Sequence, residues 1–178
     1  MAVRRKLIRD LIEKLLAKHR VSSAPVPVEK IAKALGIKIR LDDVDDDLSG
    51  FLYRDTKEKK VIIGANRSHH ENRQRFTIAH ELGHFFLHEG ELIHFDSEPG
   101  AFMINLRDSS RGDSNDEREA NFFAAELLMP AAFLAKDLEG QHLDLLSGNK
   151  FLEKLARKYL VSAQALTFRL ANLGYGNL

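Results

Sequence analysis

The chain has 178 residues, 44% hydrophobic and 30% charged, enough for a packed globular core and too apolar for a disordered or low-complexity protein. A formal net charge of +1 gives no electrostatic case for direct nucleic-acid binding, and the absence of cysteine excludes disulfides and thiolate metal sites. No apolar run approaches a membrane span, and Arg9, Asp10, Glu13 and Lys14 break up the stretch after the basic residues 1–6, so a cytoplasmic protein without a membrane partner is expected.

Residues 3–19 read as an amphipathic helix with Leu7, Leu11 and Leu15 in its apolar stripe. Residues 22–27 connect it to a short helix that Pro27 opens and Gly36 closes. Residues 37–41 alternate Lys and Arg with apolar side chains, as a strand does, and the acid cluster at 42–47 reads as a solvated loop. Strands at 48–54 and 60–64 form a hairpin around 55–59. A long helix follows over about 70–88. Residues 89–115 form a long connection rich in Ser, Asp and Gly, with an apolar stretch at 102–106 as a candidate strand. A second amphipathic helix begins near Asp116 and stops at Met129-Pro130. Residues 151–173 give two helices about a turn, a pattern similar to a helix-turn-helix. Leu160 stands where that turn usually has glycine, and the second helix offers only Arg169 to DNA, so a packing hairpin is expected. One domain over 1–178 results, with its core at about 25–135 and a C-terminal helical hairpin at about 150–173.

The chemistry lies in His80-Glu81-Leu82-Gly83-His84. On a helix the two imidazoles sit one turn apart on one face. Glu81 lies about 100° further round, poorly placed as a ligand but able to reach water at a metal held by the histidines. That arrangement suits a hydrolase in which the metal acidifies water and the carboxylate takes its proton. The pentapeptide alone is a weak signal. Its surroundings strengthen it: Phe76, Ala79, Leu82, Phe85 and Phe86 follow the rhythm of a buried helix, which brings His80, Glu81 and His84 to the buried face or beside it. Groups of that kind are costly to bury unless paired or ligated. Zinc is the expected ion, with Mn2+ or another divalent cation also suited.

A catalytic zinc takes three protein ligands. Gly90 stands where one class of zinc protease carries its third histidine. His88 lies one turn too far along the helix and reads as a helix-end histidine, and His94 has no fixed geometry. The 116–130 helix offers a better candidate in Glu117. Asn121, at i+4, shares its face and could orient a histidine from behind, and small Ala120 would let the two helices approach closely. Glu119 reads as a solvated acid in the first turn and Glu126 as surface charge.

Together, Arg73-Gln74-Arg75-Phe76-Thr77-Ile78-Ala79-His80-Glu81-Leu82-Gly83-His84 and Glu117-x-x-Ala120-Asn121-x-Phe123-Ala124-Ala125-Glu126-Leu127-Leu128-Met129-Pro130 resemble the gluzincin zinc peptidases. More narrowly, they resemble the ImmA/IrrE family of metallo-endopeptidases. The resemblance extends upstream through 28–37 and 48–54 and covers about residues 25–135. The expected fold is α+β and zincin-like: mainly helical, with a small, mainly antiparallel sheet beside the zinc helix. The resemblance implies an intracellular bacterial or phage protease that cleaves a helix-turn-helix transcriptional repressor and so switches on a mobile element or a stress response. His80, His84 and Glu117 would hold zinc, with Glu81 as general base. Gluzincins usually add an oxyanion donor, for which Tyr53 and His88 are the candidates. Gly50 leaves the 48–54 backbone approachable, so Gly50, Phe51 and Tyr53 are candidate substrate contacts, with strand addition expected there or at 102–106. Two other readings stay open: a DNA-binding regulator that uses the C-terminal helices around a structural metal, and a catalytically idle metal-binding sensor that acts through contacts to a repressor.

Overall fold

The computed structural model describes residues 2–45, 48–55, 57–88, 93–96, 115–140 and 150–175. In chain order the elements are α1 (Arg5–Lys18), α2 (Val28–Ala34), β1 (Ile37–Asp42), β2 (Gly50–Asp55), β3 (Lys60–Asn66), α3 (Glu71–Leu87), β4 (Ile93–Asp96), α4 (Asn115–Leu128), α5 (Ala131–Asp137), α6 (Lys150–Tyr159) and α7 (Ala163–Asn172). The fold is α+β and mainly helical, as expected. The sheet has the order β1-β3-β2-β4. Its β2–β3 and β2–β4 pairs are antiparallel, while β1 runs parallel to β3, with Ile37 opposite Val61 and Asp42 opposite Asn66.

Local chemistry sets most of the boundaries. Gly36 closes α2 at φ +79, a conformation that L side chains rarely adopt. In the β2–β3 turn Asp55 Oδ1 accepts from the backbone N–H of Lys57 and of Glu58, and Lys59 takes a positive φ of 50. The His70 imidazole caps α3 by accepting from Asn72 N. Pro130 ends α4 and begins α5, a short helix that periodicity did not mark. The β4 strand lies inside the long connection, where no strand was assigned to those residues. The stretch at 102–106 lies outside the described residues.

The α3 helix is central: it packs on β2 and β3 of the sheet and, most extensively, against α4, which in turn carries α1. One continuous cluster of buried apolar side chains runs from Ile8 and Ile12 through Leu52, Ile63, Leu82 and Phe123 to Tyr159 and Leu170. Each of these contributes roughly 1.5–3 kcal/mol by leaving water. The stripe of α1 is turned by one position from the expected one. Ile8, Ile12, Leu15 and Leu16 are buried while Leu7 is half exposed, because two adjacent apolar rows compete on this helix and the Ile8 row faces α4. The C-terminal hairpin turns at Leu160, which adopts φ +53 in place of the missing glycine.

Candidate metal centre

Two helices build the centre. On α3, His80, Glu81 and His84 are all buried, and the apolar rhythm that buries Ala79 and Leu82 carries them inward. The imidazole Nε2 atoms of His80 and His84 lie 3.0 Å apart. From the first turn of α4, Glu117 places Oε2 3.2 Å from His80 Nε2 and Oε1 3.3 Å from His84 Nε2. One ligand atom from each of the three residues falls within 4.8 Å of the others. Bonds of about 2.0–2.1 Å in a tetrahedral shell hold neighbouring donors roughly 3.3 Å apart, so the trio already has the spacing an ion would impose. Two imidazole nitrogens and a carboxylate suit zinc and its neighbours in the first transition row. Glu117 keeps 26% of its side chain exposed, so solvent reaches the trio from that side.

Both histidines are held from behind, in different ways. The His80 Nδ1 lies 3.0 Å from Asn121 Oδ1. An amide oxygen can only accept, so His80 carries its proton on Nδ1 and turns the Nε2 lone pair toward Glu117. His84 Nδ1 lies 3.0 Å from His88 Nδ1, and His88 Nε2 lies 3.4 Å from Glu119 Oε2 and 3.6 Å from Asp116 Oδ1. Glu119 is fully buried and is gripped from α1: Arg4 donates its backbone N–H to Oε1 at 2.8 Å and its Nε–H to both oxygens at 2.9 and 3.0 Å. Those hydrogen bonds hold the Glu119 carboxyl at about 2, against a burial that would raise it. Arg4 and Arg54 also close the end of α3. Arg4 donates to the Leu87 carbonyl at 3.2 Å, and Arg54 to the His84 and His88 carbonyls, where a cation complements the helix dipole.

Close approach of the two helices depends on Gly83 as well as on Ala120. A Cβ at Gly83 would lie 2.9 Å from Ala120 Cα, 3.2 Å from its carbonyl oxygen and 3.2 Å from Phe123 Cβ. Spacing marks Ala120 as the small residue of this crossing but not the glycine facing it, although Gly83 sits inside the His80–His84 motif.

Several expectations need correction. Glu119 is not a solvated acid, because α1 covers that side of α4 and supplies Arg4. Glu126 is not surface charge: it is buried, pairs with Arg169 at 2.8 Å and Arg9 at 3.3 Å, and accepts from Ala131 N at 3.4 Å. Arg169, the cation of the helix-turn-helix likeness, is itself buried and donates to the Met129 carbonyl, so it does not face a phosphate. His88 is more than a helix end, since it touches His84. Strand addition on β2 is not open over Gly50–Tyr53, because β3 and β4 pair with it on both sides. Gly50 serves packing, since a Cβ there would strike Thr77 and the Gly64 carbonyl. Phe51 lies over Gly64, and the Tyr53 hydroxyl donates to Asp55 Oδ2 at 3.1 Å.

Among the described residues no helix is long and apolar enough to cross a membrane. Comparison with curated proteins finds no match. A family model does match, over residues 32–171, and its description is the IrrE N-terminal-like domain of a peptidase family. The match takes in every residue of the trio, Glu81 and Asn121, and by this measure the chain belongs to that family of metallopeptidases.

Proposed function

We propose that the protein is an intracellular zinc-dependent endopeptidase in which His80, His84 and Glu117 hold the ion and Glu81 is the general base. The observation that carries this reading is the convergence of three donor atoms, at the spacing of a tetrahedral shell, beside a glutamate on the helix that carries the two histidines. When bound, the ion supplies Lewis acidity to a water and to the scissile carbonyl. Glu81 takes a proton from the attacking water as the C–O bond forms. It passes that proton to the amine nitrogen as the C–N bond breaks, a role worth roughly 10²–10⁴-fold in rate. Asn121 fixes the ring of His80 through the Nδ1 contact.

The resemblance to the ImmA/IrrE peptidases supports a helix-turn-helix repressor as the substrate, cut at a limited number of sites. A peptide bond offered to such a centre has to lie in an extended or loosened segment, since a folded helix has no free backbone groups. Among the described strands β4 flanks β2 at the end of the sheet, so β4 replaces β2 as the proposed edge for strand addition. Phe51 and Tyr53 remain proposed substrate contacts through their side chains.

The test uses purified protein with any small helix-turn-helix repressor found encoded beside its gene, and with denatured casein, read by mass spectrometry. One or a few cuts in the repressor are expected, abolished by a chelator and by Glu81→Gln. Rapid digestion of casein with the repressor left intact would contradict the reading.

A further inference from the structure

We propose that His88, Glu119 and Arg4 form a relay that positions the His84 imidazole, so that metal retention depends on a contact from the N-terminal helix. The proposal rests on the reading of His84 as a ligand.

The two candidate ligands on α3 are supported unequally. Behind His80 stands one neutral amide on α4. Behind His84 stands a second imidazole, with the two Nδ1 atoms 3.0 Å apart. Only one of those nitrogens can carry the proton between them. As a metal ligand through Nε2, His84 carries its hydrogen on Nδ1 and donates it to His88 Nδ1. His88 is thereby fixed as the tautomer protonated on Nε2, and that N–H points at the carboxylates of Glu119 and Asp116.

Glu119 is the anchor, because it is fully buried and cannot follow its partner by rotating into solvent. Its two oxygens are shared between His88 and Arg4, and Arg4 contributes both its backbone N–H and its guanidinium. The same guanidinium reaches the Leu87 carbonyl, so the residue that precedes α1 steadies the carboxylate and the last turn of α3 together. Arg4 lies outside the 32–171 span matched to the family, so the outer end of this relay comes from this chain's own N-terminal segment. Asp116, more exposed and more distant from His88, is a secondary acceptor.

A cluster that only tied α1 to α4 would alter thermal stability and leave metal binding alone. The experiment therefore measures zinc affinity by chelator competition, together with the visible spectrum of the cobalt-substituted protein, for wild type, His88→Leu, His88→Gln, Arg4→Met and the His88→Leu/Arg4→Met double variant. His88→Leu should weaken zinc by about 10–100-fold and shift the cobalt bands. His88→Gln, with an oxygen to accept from His84 and an N–H to give to Glu119, should recover part of the loss. Arg4→Met should weaken zinc several-fold in the wild-type background and hardly at all once His88 is gone, since the two act in series. Should Arg4→Met fail to fold, Arg4→Gln, which keeps a neutral N–H donor near Glu119 and removes the cation, takes its place with the same expected loss. Wild-type zinc affinity and cobalt spectrum in His88→Leu, or losses that simply add in the double variant, would overturn the relay. His84→Ala retaining its metal would instead overturn the ligand assignment beneath it.

Discussion

Replacing Gly83 by alanine tests whether the spacing between α3 and α4 sets the geometry of the centre. The new Cβ would stand 2.9 Å from Ala120 Cα, where ordinary van der Waals contact begins near 3.4 Å. The obstructing atom is backbone and cannot rotate away, so the helices must part by about 0.5 Å at this crossing. Gly83 lies between His80 and His84, and Ala120 is one turn from Glu117. The gaps of 3.2 and 3.3 Å between the imidazoles and the carboxylate should therefore widen by a similar amount. Metal shells tolerate about 0.2 Å, so zinc affinity should fall tenfold or more, about 1.4 kcal/mol. Stability of the metal-free protein combines opposite terms. Alanine favours the helix by about 1 kcal/mol, and overpacking costs about 1–3 kcal/mol, leaving a net loss of roughly 0–2 kcal/mol. Chelator competition and thermal unfolding of metal-free protein measure the two quantities. Wild-type zinc affinity together with a raised melting temperature, the behaviour of a glycine on an open helix face, would refute the reasoning.

Arg169→Leu should cost about 3–5 kcal/mol in urea unfolding, because it leaves Glu126 buried with Arg9 at 3.3 Å and the Ala131 N–H at 3.4 Å in place of its closest cation; a loss under 1 kcal/mol would show the pair to be dispensable. Lys59→Gly should raise stability by about 0.5–1 kcal/mol, since Lys59 is exposed and holds φ +50 at a turn position that favours glycine; a lower denaturation midpoint would argue against strain there. Acid stability should carry a signature of Glu119, whose carboxyl is lowered from an ordinary 4.5 to about 2 by Arg4. The unfolded chain binds that proton first as pH falls, so the contribution is full above about pH 4.5 and is lost on the way down to pH 2. Glu119→Gln should lose that part of the slope, and an unchanged acid titration in the variant would contradict the assignment.

What could be read from the sequence was what recurs within one helix or one turn. His80, Glu81 and His84 share a helix, and so do Glu117 and Asn121, so spacing alone brought each set to one face. Gly36 and the Asp55–Lys60 turn announced their boundaries through backbone preference. Features that depend on distant partners were hidden. Glu119 reads as a first-turn acid until α1 is laid across α4 and Arg4 arrives from 115 positions away. Glu126 reads as surface until Arg169 covers it. The parallel pairing of β1 with β3 leaves no mark in either strand, because alternation is the same for both directions. Spacing puts His88 too far along the helix to share an ion with His80 and leaves it as a helix end or an oxyanion donor; its i+4 contact with His84 shows only once both rings are placed.

The most direct measurement is the metal content of four proteins purified alike: wild type, His80→Ala, Glu117→Ala and Glu81→Gln. Close to one zinc-class ion per chain is expected in the wild type and in Glu81→Gln, which loses peptide cleavage but keeps its ligands. Neither His80→Ala nor Glu117→Ala should retain the ion. Loss of metal from Glu81→Gln as complete as that from His80→Ala, or full retention in Glu117→Ala, would contradict the division of roles at the centre.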